Sequence, residues 1–245
     1  MRILVVEHEA NAGIGLIGER IHAAGAELVR VGPEAGHEIP VSPAGFDGVI
    51  VLGGSSGPTD DQVAPWLPRV RGLIGRCLAD EVPYLGVCLG AQMLTVVAGG
   101  VVAGVRKGPE VGLGDLVLTD AADGDPLLGG LPRRLKALQW HWLEMHELPE
   151  GSVSLCTSDA CPNQAFRVGP AAWGLQFHLE GLASTAEAWA RDDSEELSNL
   201  GLTAKQLVAN VREYEPQLRQ TWAEVSDRWL AFVAEHGTTP SVRST

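Results

Sequence analysis

Three side chains in this sequence have the types and spacing that chemistry requires. Cys88 is framed by glycines in Gly86-Val87-Cys88-Leu89-Gly90-Ala91-Gln92, and His178 and Glu180 share Trp173-Gly174-Leu175-Gln176-Phe177-His178-Leu179-Glu180. The cysteine follows a short apolar run, Tyr84-Leu85-Gly86-Val87, and precedes a helix-forming one. A sharp turn at such a junction lifts the central side chain off the carboxyl edge of a sheet, and small neighbours let the backbone take the strained conformation. Cys88 then stands at a helix N-terminus, where the macrodipole favours an anion. A free thiol ionises near pH ~8.5, and a drop of about two units leaves most of it as thiolate at neutral pH. His178 and Glu180 are two apart, so an extended segment points them the same way. A carboxylate beside an imidazole sets its tautomer and stabilises its cation. A thiol, a distant imidazole and a carboxylate together are equipped for acyl transfer. Either feature alone has a plain reading: a cysteine is commonly a small buried hydrophobe, and an isolated His-x-Glu a surface strand end.

The elements that must position these groups follow from periodicity. Ile3–Val6 is an unbroken β-branched run suited to a strand buried on both faces. Residues 13–24 place Ile14, Leu16, Ile17 and Ile21 at helical spacing and stop at Gly25. Leu28–Val31 and Gly48–Leu52 read as further strands, the latter running into Gly53-Gly54-Ser55-Ser56-Gly57-Pro58; a helix is expected over residues 64–80 and a fourth strand over residues 84–87. Strands and helices alternating in this way predict an α/β, flavodoxin-like doubly wound, mainly parallel sheet with helices on both faces. Residues 101–118, 135–138, 152–156, 165–168 and 172–177 are strand candidates that extend the sheet and add a small antiparallel layer. From Ala183 the pattern is helical, with amphipathic stretches at residues 202–211 and 222–233. The expected organisation is a main domain over residues 1–182, a helical C-terminal extension packed on it over residues 183–236, and a disordered tail over residues 237–245.

Composition narrows the function classes. The 245 residues carry 31 acidic and 18 basic side chains, a net charge of −13, which repels phosphate backbones and argues against nucleic acid as a partner. The basic clusters Arg133-Arg134-Leu135-Lys136 and Arg106-Lys107 read as solvated loop or edge charges. The longest uncharged apolar stretch, residues 94–105, is too short for a bilayer, so no membrane association is expected. The four cysteines are too few for a disulfide scaffold, and Cys156 and Cys161 lack the paired spacing of a zinc site, which points to a reducing, cytoplasmic setting. His8, His22, His37 and His236 read as solvated.

The motif G-x-C-x-G-x-Q at Gly86–Gln92, followed by H-x-E at His178 and Glu180, resembles the class I, triad-type glutamine amidotransferases. Trp140-His141, Leu148-Pro149 and Gln164-Ala165-Phe166 precede the H-x-E in the order found in stand-alone relatives of the GMP synthase glutaminase domain. The resemblance spans roughly residues 1–181. It implies hydrolysis of a γ-glutamyl carboxamide, of glutamine or a γ-glutamyl amide, through a thioester on Cys88. His178 would serve as base and acid and Glu180 would orient it. The backbone N–H groups of Leu89 and of Gly54 or Ser55 would form the oxyanion hole, and Gln92, His141 and Trp142 would hold substrate. No cofactor or metal is implied. Two departures stand out. Ser55 and Ser56 follow the Gly-Gly pair where proline is common, and bulky Trp142 stands where a small residue is usual. The sequence contains neither G-x-x-x-x-G-K-[ST] nor an S-G-G-x-D-S loop, so acceptor activation is expected of a separate synthetase. The alternatives are a γ-glutamyl amide hydrolase releasing a substituted amine, and a catalytically silent binding module on the same fold.

Overall fold

The computed structural model describes residues 1–237. The elements β1 (Arg2–Val6), α1 (Gly15–Ala23), β2 (Glu27–Val31), β3 (Gly48–Val51), α2 (Leu67–Ala79), β4 (Tyr84–Val87) and α3 (Leu89–Val97) alternate along the first part of the chain. A strand-rich section follows: β5 (Val101–Gly104), β6 (Glu110–Leu118), β7 (Arg134–His141), β8 (Leu143–Glu147), β9 (Val153–Thr157), β10 (Ala165–Val168) and β11 (Ala172–Leu175). Helices α4 (Ala183–Asp192), α5 (Ser194–Asn199) and α6 (Ala204–His236) complete it.

Nine strands form one sheet in the order β2-β1-β3-β4-β11-β10-β9-β6-β7, while β5 and β8 pair separately. The strands from β2 to β11 in that order run parallel, and each later neighbour is antiparallel. The unbroken apolar character of β1 follows from burial on both sides. Ile3 and Val5 face a core shared with Ile17, Ile21 and Trp229, whereas Leu4 and Val6 face one shared with Val70, Leu73 and Met93. Helices α1, α4 and α6 therefore cover one face and α2 and α3 the other. This is the doubly wound α/β architecture with a small antiparallel sheet.

Two expectations need correction. The amphipathic stretches at residues 202–211 and 222–233 are parts of one 33-residue helix that runs through Pro216. Leu207, Val211, Leu218, Trp222, Val225, Trp229 and Val233 keep one buried stripe in phase across the proline. Burial of that stripe outweighs the missing N–H. His8 is not solvated but buried, with its Nδ1 accepting from Trp66 Nε1 at 3.0 Å. Of the expected tail at residues 237–245, all but Gly237 lies outside the described residues.

Candidate active site

The β4–α3 junction is the turn that the glycine frame predicts. Cys88 takes φ 49° and ψ −105°, a conformation an L-residue adopts only when its surroundings enforce it. A Cβ on Gly86 would lie 2.6 Å from the Gly90 backbone, and one on Gly90 2.1 Å from the Val51 carbonyl oxygen. Glycine at both positions lets the chain reverse against β3. The Cys88 N–H donates to the Leu175 carbonyl at 2.8 Å, tying the turn to the end of β11.

Because β11 lies beside β4 with Leu175 opposite Val87, the residues just past both strands share one carboxyl edge. His178 is held there by its N–H, which donates to the Leu138 carbonyl at 2.8 Å. Its Nδ1 lies 2.7 Å from Glu180 Oε1, and its ring also interacts with the Cys88 thiol. Burial disfavours the imidazolium, but Glu180 and Cys88 outweigh burial and raise the His178 pKa to about 10. Trp189 of α4 meets the ring edge-on at 4.6 Å between centroids. Gly53 lies under this pair, where a Cβ would sit 2.9 Å from His178 Cε1.

A cavity of about 380 Å³ opens over Cys88 and His178. Gln92, Gly54, Ser55, His141 and Trp142, named from the sequence, all line it. The Ser55 N–H is directed to Glu9 Oε1 at 2.6 Å, which removes it as an oxyanion donor and corrects that expectation. The N–H groups of Gly54 and Leu89 have no acceptor among the described residues. His141 also departs from expectation. Its Nδ1 lies 2.9 Å from the Leu143 carbonyl and its Nε2 3.2 Å from Glu110, so both nitrogens face protein groups instead of the cavity. Trp142 is 36 % exposed and lines the cavity mouth.

Several site residues were not singled out from the sequence. Gln176 Nε2 reaches Cys88 Sγ at 3.6 Å and its Oε1 accepts from Gln92 at 3.3 Å. The signal existed, since Gln176, His178 and Glu180 alternate on one side of an extended segment. Glu9 braces Ser55, while Trp189, Asp193 and Glu196 come from the α4–α5 region and bring three more side chains to the cavity wall. Only tertiary packing could assign those to it.

A thiol, an imidazole and a carboxylate at the carboxyl edge of a doubly wound sheet are the equipment of a cysteine-dependent amide hydrolase. Residues 15–193 match the family "Glutamine amidotransferase class-I", and the chain belongs to that family of enzymes. It is 34 % identical over 145 residues to the glutamine-hydrolyzing GMP synthase subunit of Haloarcula marismortui, covering 58 % of this chain and 67 % of that one. It is 28 % identical over 140 residues to gamma-glutamyl peptidase 3 of Arabidopsis thaliana, covering 55 % of each. The chain spans between half and two thirds of the length of such curated relatives. The crystal structure of a glutamine amidotransferase from Thermotoga maritima superposes with a TM-score of 0.85 at 27 % identity, over 94 % of this chain and 98 % of that one. One from Methylobacillus flagellatus, at 22 % identity and a TM-score of 0.87 over 100 % of this chain and 98 % of that one, shares the fold. Among the described residues no helix is long and apolar enough to cross a membrane.

Proposed function

We propose that this chain hydrolyses a γ-glutamyl carboxamide through a thioester on Cys88, and the observation that carries the reading is the meeting of Cys88 and His178 in the cavity, with Glu180 held against His178. The Cys88 sulfur attacks the amide carbon, and the oxyanion takes hydrogen bonds from the Gly54 and Leu89 N–H groups. The His178 imidazolium gives its proton to the departing nitrogen as the C–N bond breaks, leaving a γ-glutamyl thioester and a neutral amine or ammonia. Water then attacks the thioester, His178 accepts its proton, and the thiolate leaves. Glu180 holds His178 in place and stabilises its cation. Glutamine as substrate, with ammonia passed to a separate synthetase, is supported by the GMP synthase subunits among the relatives.

The test is labelling by a glutamine-directed alkylating analogue. Cys88, which lines the cavity, should be modified while Cys77, Cys156 and Cys161, which do not, are spared. Burial pushes Cys77 and Cys156 up to about 12, and burial with Glu144 and Glu110 raises Cys161 further. Cys88→Ser should abolish turnover with the fold intact. Label found chiefly on another cysteine rejects the mechanism.

A second reading, a γ-glutamyl amide hydrolase that releases a substituted amine, is favoured by the cavity lining. Trp140, Trp142 and Trp189 stand with Glu9, Asp193 and Glu196, and no lysine or arginine lines it. These carboxylates have no ion-pair partner among the described residues. Indole faces beside carboxylates suit a protonated amine on the leaving group. Comparing the γ-glutamyl amide of a diamine with glutamine, Trp142→Gly should lower the ratio of kcat/KM values about tenfold or more, since a well-placed wall contributes roughly 1–3 kcal/mol. An unchanged ratio returns the reading to free glutamine.

A further inference from the structure

Behind the cavity wall lies a second cluster of reactive side chains that the amide chemistry does not use. Glu110 begins β6, His141 ends β7, and Cys161 lies in the connection from β9 to β10. One donor atom from each falls within 4.8 Å of the other two. His141 and Cys161 are buried and Glu110 is partly so. A tetrahedral ion with bonds of about 2.0–2.3 Å sets its ligand atoms roughly 3.3–3.8 Å apart, so small side-chain movements would close this set around one.

The hydrogen bonding around the cluster is what a metal site demands. His141 Nδ1 faces the Leu143 carbonyl at 2.9 Å, and a carbonyl only accepts, so Nδ1 carries the proton. Nε2 lies 3.2 Å from Glu110 Oε2 and, although buried, meets no partner with hydrogen-bond geometry. In the neutral ring that nitrogen turns a lone pair toward the carboxylate, an arrangement that a cation between the two atoms satisfies. A ring N–H donated to a backbone carbonyl is the usual way a metal-bound histidine is oriented. The carboxylate is oriented too, since Glu110 accepts from Ser158 Oγ at 2.8 Å and from Gln164 Nε2 at 2.6 Å.

A further carboxylate lies beside Cys161, outside that three-residue group. Glu144 is buried beside the Cys161 thiol, with Oε1 facing Arg106 at 2.9 Å and His146 Nε2 at 3.2 Å, and Oε2 without a hydrogen-bond partner. Glu110, Glu144 and a Cys161 thiolate carry three negative charges. Arg106 offsets one of them, and a divalent ion would offset the other two. Mixed thiolate, imidazole and carboxylate ligation suits a borderline-soft divalent ion.

We propose that Glu110, His141 and Cys161, completed by Glu144, bind one Zn²⁺-class divalent ion that clamps β6, β7 and the β9–β10 connection behind the substrate cavity. The ion lies outside the thioester chemistry. Its effect is to fix His141 and, with it, the strand end that carries Trp142 into the cavity mouth. Cys156 and Cys161 are no zinc pair by spacing, and in this site Cys161 contributes alone.

The test is Co²⁺ titration of the full chain after treatment with a chelator. One equivalent should produce a sulfur-to-cobalt charge-transfer band together with the visible bands of a four-coordinate ion. Cys88 and His178 are a second thiol and imidazole, so the decisive pair is Cys88→Ser, which must keep the band, and Cys161→Ser, which must lose it. Glu110→Gln, which keeps the side-chain shape, should weaken Co²⁺ binding at least tenfold. Zn²⁺ should raise the melting temperature of wild type and Cys88→Ser in a concentration-dependent way, but not that of Cys161→Ser. Absence of the band at one equivalent, or its survival in Cys161→Ser, overturns the site and leaves Glu110, His141 and Cys161 as a buried polar cluster.

Discussion

His178 is surrounded by opposing influences, and their balance is measurable. Burial alone would keep the ring neutral, yet Glu180 at 2.7 Å and the Cys88 sulfur hold its pKa at about 10. In the proposed mechanism the imidazolium is the acid for the leaving nitrogen, so kcat/KM should fall at high pH only as that proton is lost. Glu180→Gln removes the strongest influence favouring the cation. The alkaline limb of the pH–rate profile should then move to lower pH by at least one unit, with partial activity retained. A limb that stays in place would mean that Glu180 does not set the charge of the ring. His178→Asn, which removes the acid and base altogether, should cost several orders of magnitude in rate.

At the scale of elements, the β4–α3 turn depends on backbone proximity. Gly90→Ala would push a methyl group into the Val51 carbonyl, a backbone atom with nowhere to go. A destabilisation of about 1–3 kcal/mol or more is expected, together with a displaced Cys88. Gly72, inside α2, is the contrasting case, with nothing within 4 Å of an added Cβ. Gly72→Ala should stabilise by roughly 0.5–1 kcal/mol through helix propensity alone. Urea midpoints of the two variants should move in opposite directions, and activity should fall only in Gly90→Ala. Movement in the same direction would contradict the close approach of α3 to β3.

For the whole molecule, two histidines shape stability against pH with opposite signs. Burial lowers His8 to about 4, so between there and about 6.5 the unfolded chain holds a proton that the folded chain does not. Stability therefore rises with pH across that window. His178 is raised to about 10, so above about 6.5 the folded chain holds the extra proton and stability falls as pH rises toward 10. Each window has a limiting slope of about 1.4 kcal/mol per pH unit for one full proton. Urea unfolding at pH 5, 7 and 9 should give the greatest stability near pH 7. His178→Asn should flatten the decline from pH 7 to 9, and an unaltered decline would place the responsible proton elsewhere.

The sequence by itself carried whatever depends on neighbours along the chain. The apolar runs of β1, β3 and β4 announced strands buried on both faces. The glycines around Cys88 announced a strained turn, and the alternation of His178 with Glu180 announced a shared direction. Those features arise from local sterics and from the periods of strand and helix, so they can be read within a few residues. Tertiary structure decided everything that rests on burial or on distant partners. It joined α6 through Pro216 because the buried stripe stays in phase, and it buried His8 against Trp66. It directed the Ser55 N–H to Glu9, brought Trp189 and Asp193 to the cavity, and placed Cys161 beside Glu110 and His141. Residues 110, 141 and 161 have no common period along the chain. They meet only because β6 pairs with both β7 and β9, and that register is set by a sheet whose strands are far apart in sequence.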